Sequence, residues 1–170
     1  MKRIDAYPKN KAHFLRLIKF GKEIISICKD LGCTPVLYGS MAHFLHTGDT
    51  GMKINDLDFL IPRGMMSKVA KELKRRKIKL ISFPRWDGLV IARGDLRIEL
   101  DAMDSTYKDT VWRRKLPKDF VDLNIDDVKL RMIGPKGMKR LYGIAYARSK
   151  DDKARIRRKM RGLEASLKRK

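Results

Sequence analysis

Gly39-Ser40 and Asp56-Leu57-Asp58-Phe59 bring together residue types that can hold phosphate and a divalent cation. Thr34-Pro35-Val36-Leu37-Tyr38 reads as a short strand and Met41-Ala42-His43-Phe44-Leu45-His46 as the first turns of a helix. Gly39-Ser40 therefore falls at a strand-to-helix turn, where backbone N–H groups point outward and favour an anion. Glycine lets a phosphate approach the backbone, and the Ser40 hydroxyl adds a donor. In Asp56-Leu57-Asp58-Phe59-Leu60-Ile61 side chains alternate, so the two aspartates share one face and Leu57, Phe59 and Ile61 the other. Acids spaced this way commonly line a solvated strand. Here they lead into Phe59-Leu60-Ile61, a strand entering a core, where an unpaired carboxylate pair is costly and self-repelling unless a cation or a proton lies between.

A later strand, Leu96-Arg97-Ile98-Glu99-Leu100-Asp101-Ala102-Met103, puts Leu96, Ile98, Leu100 and Ala102 on one face and Arg97, Glu99 and Asp101 on the other. Set beside the first strand, it would bring three or four carboxylates together. That arrangement suits two Mg²⁺ ions about 4 Å apart for an in-line displacement at phosphorus. Alternation alone leaves Glu99 and Asp101 equivalent.

Tyr38-Gly39-Ser40-Met41-Ala42, Asp56-Leu57-Asp58-Phe59 and Ile98-Glu99-Leu100-Asp101, in this order, resemble the DNA polymerase beta-like nucleotidyltransferase superfamily, particularly its small single-domain members. The likeness extends to Val128–Pro135 and to Arg148-Ser149-Lys150-Asp151, and so covers roughly residues 34 to 155. Fifteen residues separate Ser40 from Asp56, a longer loop than the family usually has, with Gly48-Asp49-Thr50-Gly51 inside it. The resemblance implies an α+β nucleotidyltransferase fold, a mixed sheet flanked by helices with a C-terminal helical extension. It implies transfer of a nucleoside monophosphate from an NTP to a hydroxyl. Asp56 and Asp58 would bind two Mg²⁺ or Mn²⁺ ions, and Asp101 is chosen over Glu99 as the third catalytic carboxylate. Gly39 and Ser40 would hold the triphosphate, and Lys150 would contact nucleotide phosphates.

Charge narrows the acceptor. Lysine and arginine total 41 against 20 acids, a net of +21, far beyond what solubility requires and suited to a polyanion. A heat-adapted, ion-rich surface raises both signs together and leaves the net modest. A cationic small-molecule acceptor is disfavoured and RNA or DNA favoured; the acceptor expected for the nucleotidyltransferase reading is RNA such as tRNA. Residues 148–170 hold eleven basic against three acidic residues, and Arg155, Arg158 and Arg161 are the candidates for phosphate-backbone contact. Aromatics are sparse, so no base-reading platform is expected. Two other readings use the same fold: a nucleic-acid-binding module without chemistry, and an interaction protein from a toxin–antitoxin pair.

At 170 residues and 43% hydrophobic content, one domain is expected, with a core at about 10–133 and basic helices at about 134–170. No bilayer-length apolar run or signal peptide is evident, so a cytoplasmic protein is expected. Cys28 and Cys33 read as buried or idle thiols, and their spacing matches no zinc finger. Periodicity predicts helices at 10–31, about 41–47, 67–76, 135–147 and 150–168, with Ser67 capping the third. It places strands near 35–38, 56–61, 78–83, 88–93 and 96–103 and a hairpin over 120–133. Trp112 falls in an expected loop at 104–118. Ile156, Met160, Leu163 and Leu167 are expected to pack inward from the last helix.

Overall fold

The computed structural model describes residues 6–83, 88–103, 119–125 and 128–168. Among these residues five helices and seven strands follow one another as α1 (Lys11–Asp30), β1 (Val36–Tyr38), α2 (Gly39–Thr47), β2 (Asp56–Ile61), α3 (Arg63–Arg75), β3 (Leu80–Phe83), β4 (Gly88–Arg93), β5 (Leu96–Ala102), β6 (Phe120–Ile125), β7 (Val128–Ile133), α4 (Pro135–Arg148) and α5 (Lys153–Lys168). The strands form one mixed sheet in the order β3-β4-β5-β2-β1-β7-β6. The β2–β5 and β1–β7 pairs are parallel and the others antiparallel. This is the α+β architecture expected from the sequence. The expected loop around Trp112 lies outside the described residues.

The apolar stripe of α1, including Phe14, Leu17, Ile24 and Cys28, is buried. Gly21 lets this helix close on β2, since a Cβ there would come within 2.6 Å of Leu57 Cδ1. α1 ends in a Schellman turn, with Cys33 N donating to Cys28 O and Gly32 N to Lys29 O, each at 2.8 Å. Gly32 supplies the left-handed φ of 77° that the turn demands. Covering Leu57 with α1 leaves the aspartate side of β2 to face the start of α2, and the topology thereby commits one sheet face to chemistry.

Three local expectations are corrected. Ser67 is not the cap of the third helix, which begins four residues earlier, directly after Pro62. Proline cannot continue the ladder of β2, and its fixed φ of −56° hands the chain straight into a helix. The last helix begins at Lys153 rather than 150, because Ser149 Oγ accepts Asp152 N–H at 2.8 Å and holds a turn between the two helices. Leu167 is exposed while Ser166 is buried, its hydroxyl donating to Leu163 O at 2.8 Å. Ile156 and Leu163 are buried as expected.

Candidate active site

β1 passes into α2 without a loop: Tyr38 ends the strand and Gly39 opens the helix. Gly39 has a φ of 68°, and a Cβ there would lie 1.8 Å from Asp58 Oδ2. Only glycine allows the turn to sit against the carboxylate, which accepts the Ser40 backbone N–H. Gly39→Ala is expected to cost at least about 2 kcal/mol, from the left-handed backbone and the clash together. Chemical denaturation checks this, and a loss under about 0.5 kcal/mol would show that the turn does not press on Asp58.

The carboxylates are assembled by register. In the parallel β2–β5 pair Asp56 lies opposite Arg97, Asp58 opposite Glu99 and Leu60 opposite Asp101. One oxygen each from Asp56, Asp58 and Glu99 fall within 4.8 Å of one another, the one group among the described residues arranged to hold a metal ion. Arg97 Nη2 donates to Glu99 Oε1 at 2.7 Å. Asp101 stands further along β5 and accepts a hydrogen bond on Oδ2 from the Tyr38 hydroxyl. Tyr38 lies opposite Asp58 on β1, so its side chain reaches across β2 to meet Asp101.

Burial, followed by the charges of Asp56, Glu99 and Asp101, raises the Asp58 carboxyl to about 8, opposed by the Ser40 N–H bond. Burial also raises Asp101, to about 6, against the pull of the Tyr38 hydrogen bond and with a push from Glu99. Without a counterion this cluster resists full ionisation. Such a set of hard oxygen donors fits Mg²⁺ or Mn²⁺.

A cation that the sequence reading passed over stands beside these acids. Lys159 is half-buried on α5, and its Nζ lies 3.5 Å from Ser40 Oγ. Burial and Arg155 lower its pKa, while Asp58 and Asp56 favour its charge. A signal existed, since Lys159 shares a helix face with Ile156 and Leu163, three residues before and four after, unlike its neighbours in the basic run. Lys150 is exposed in the turn between α4 and α5. Arg155, Arg158 and Arg161 are exposed on α5, with Arg155 paired to Asp152. Cys28 and Cys33 are buried and free, burial raising the Cys28 thiol to about 12. Among the described residues no helix is long and apolar enough to cross a membrane.

No protein-family model matches the chain, and no curated protein matches it. Solved structures do. An antigenic nucleotidyltransferase-like protein from Paracoccidioides brasiliensis superposes with a TM-score of 0.65 at 16% identity, over 86% of this chain and 74% of its own. ANT(2")-Ia, solved with adenylyl-2"-tobramycin, gives 0.65 at 14% identity over 90% of each chain. A putative nucleotidyltransferase from Thermotoga maritima gives 0.59 at 14% identity, over 91% of this chain and 95% of its own. The chain has the nucleotidyltransferase fold.

Proposed function

We propose that the whole chain acts as one metal-dependent nucleotidyltransferase that moves a nucleoside monophosphate from an NTP to a hydroxyl of RNA, with tRNA among the candidates. The observation that carries this is the convergence of Asp56, Asp58 and Glu99 on one point beside the glycine turn at Gly39-Ser40. Asp56, Asp58 and Glu99 would hold two divalent ions. When bound, these ions neutralise the phosphates and lower the pKa of the attacking hydroxyl. Geometry therefore favours Glu99 over Asp101 as the third ligand and frees Asp101 for another task. The Asp101 oxygen not held by Tyr38 would take the proton of the acceptor hydroxyl, and a carboxyl at about 6 suits a base working near neutrality. As the hydroxyl oxygen bonds to the α-phosphorus, the bond to the pyrophosphate oxygen breaks on the opposite side.

Ser40 and Lys159 would hold the phosphate tail on the leaving side, with Gly39 keeping the approach open. Lys159, already at the serine hydroxyl, is better situated for this than Lys150, which remains a candidate for the outer phosphates. A net charge of +21 supports RNA over a cationic small molecule. Arg155, Arg158 and Arg161 would contact its backbone. Affinity for RNA should fall with salt at a log-log slope near −2 if the three arginines each neutralise one phosphate of a single strand. Offering the four nucleotides, labelled at the α-phosphate, with Mg²⁺ to total RNA, to cell protein and to a cationic amino alcohol tests the whole reading. Label in RNA is expected. Label only in protein or in the small molecule would overturn the acceptor, and label in none would overturn the enzyme. A cytoplasmic location accords with such a substrate.

A further inference from the structure

α2 runs away from the carboxylates, and the groove between it and α5 opens into a cleft of about 930 Å³. One wall is α5, with Arg155, Arg158, Lys159 and Arg161, and the other is the segment 47–52 that follows α2. Asp49 is the single acid among the described residues of the lining, and one of its oxygens already accepts Gly51 N–H at 3.0 Å. The cleft is therefore strongly cationic. It is also continuous with the phosphate turn, because Lys159 both lines it and reaches Ser40.

Two features separate this cleft from a merely solvated basic face. His43 lies in its lining, only 3% exposed, with Nδ1 buried and lacking a hydrogen-bond partner among the described residues. Burial and Lys159 lower this imidazole to about 4, so it is neutral and offers a hydrogen bond rather than a charge. Gly162 lies opposite in the interior of α5, where glycine costs about 1 kcal/mol relative to alanine. Among the described residues a Cβ at 162 would meet nothing nearer than His43 Nε2, at 3.9 Å. The missing side chain keeps the wall open in front of the imidazole.

A volume of about 930 Å³ is that of a few nucleotides rather than of a duplex. A single strand fits. Phosphates match the arginines, and a 2′-hydroxyl, which RNA carries and DNA lacks, matches the neutral His43 imidazole at Nε2, the nitrogen nearest Gly162. An in-line displacement brings the acceptor hydroxyl in opposite the leaving pyrophosphate. With the phosphate tail at Ser40 and Lys159, anything in this cleft lies away from the reacting end.

Building on the proposed RNA acceptor, we infer that this cleft anchors a single-stranded RNA segment distant from the hydroxyl that reacts. The test measures anisotropy of labelled oligo(U), oligo(dU) and an RNA duplex with the full chain, in EDTA and without nucleotide, so that binding is read independently of catalysis. Gly162→Leu and Ala165→Met fill the cleft without changing charge. Each is expected to weaken oligo(U) at least about tenfold with no fall in melting temperature. Gly162→Leu removes a helix-interior glycine, and Ala165 is an exposed lining residue, so one variant keeps the test valid if the other misfolds. Oligo(U) binding that survives both variants would put the RNA outside the cleft and overturn the inference. Equal affinity for oligo(dU) or the duplex, or displacement of oligo(U) by stoichiometric tripolyphosphate, would overturn it too. Cleft-sensitive binding in a protein that transfers no nucleotide would support the cleft and sink the catalytic reading alone.

Discussion

Asp58→Asn should make the metal-free protein more stable at pH 8 and catalytically silent. The fold holds the Asp58 carboxyl at about 8 against an ordinary 3.8, chiefly through burial and then through Asp56 and Glu99. Between those values the unfolded chain has lost a proton that the folded chain keeps. Stability from this group is therefore complete below about pH 4 and lost as pH rises through about 8, at ~1.4 kcal/mol per unit within the window. Asparagine mimics the protonated acid and abolishes the slope. Between pH 5 and pH 8 the melting temperature of the metal-free wild type should fall by more than about 5 °C, and that of the variant much less. Mg²⁺ should reverse the wild-type trend by binding the ionised folded cluster, and should leave the variant unmoved. Nucleotide transfer should drop at least about 10³-fold. A variant with the wild-type pH slope and an intact Mg²⁺ response would remove Asp58 from the site.

Glu99→Gln and Asp101→Asn should both be severe but in different ways, which assigns the two acids that alternation left equivalent. Glu99 lies opposite Asp58 within the metal-ready group, so its loss should abolish the thermal response to Mg²⁺ together with at least about 10³-fold of the transfer rate. Asp101 is held by Tyr38 outside that group. Its loss should spare the Mg²⁺ response and NTP binding and lower kcat by about 10²–10⁴-fold, the range of a missing general base. Tyr38→Phe leaves the acid in place without its hydrogen-bond donor. It should lower kcat less than Asp101→Asn does, leave KM for the NTP unchanged, and shift the lower limb of the pH–rate profile upward, because the hydrogen bond that lowers the Asp101 pKa is gone. Thermal melts with Mg²⁺ and steady-state kinetics decide it. A Mg²⁺ response lost in Asp101→Asn and kept in Glu99→Gln would return Asp101 to the metal.

The element order was legible because period-2 and period-3.6 patterns are strong in β2, β5 and α1, and because Gly32 and Pro62 mark ends that a chain cannot easily pass. The face shared by Asp56, Asp58, Glu99 and Asp101 was legible for the same reason. Register was not. Local pattern cannot say that β5 pairs parallel to β2 with Glu99 opposite Asp58, since that follows from the crossover through α3, β3 and β4. Nor does it reveal that a tyrosine two strands away ties up Asp101. Lys159 was hidden by company: five basic residues crowd positions 155–161, and only the face it shares with Ile156 and Leu163 separates the half-buried one from the rest. Ser67 misled because a residue suited to capping was available, while Pro62 had already set the backbone for the helix.

Pyrophosphate release in the presence of RNA tests the account most directly. With wild-type protein, Mg²⁺ and an NTP, release should start on adding RNA, match the label gained by the RNA mole for mole, and stop with EDTA. Asp58→Asn and Glu99→Gln, each shown to be folded, should release none above background. Release that persists in both variants, or that wild type never gives with any of the four nucleotides under Mg²⁺ or Mn²⁺, would contradict nucleotidyl transfer at this carboxylate cluster.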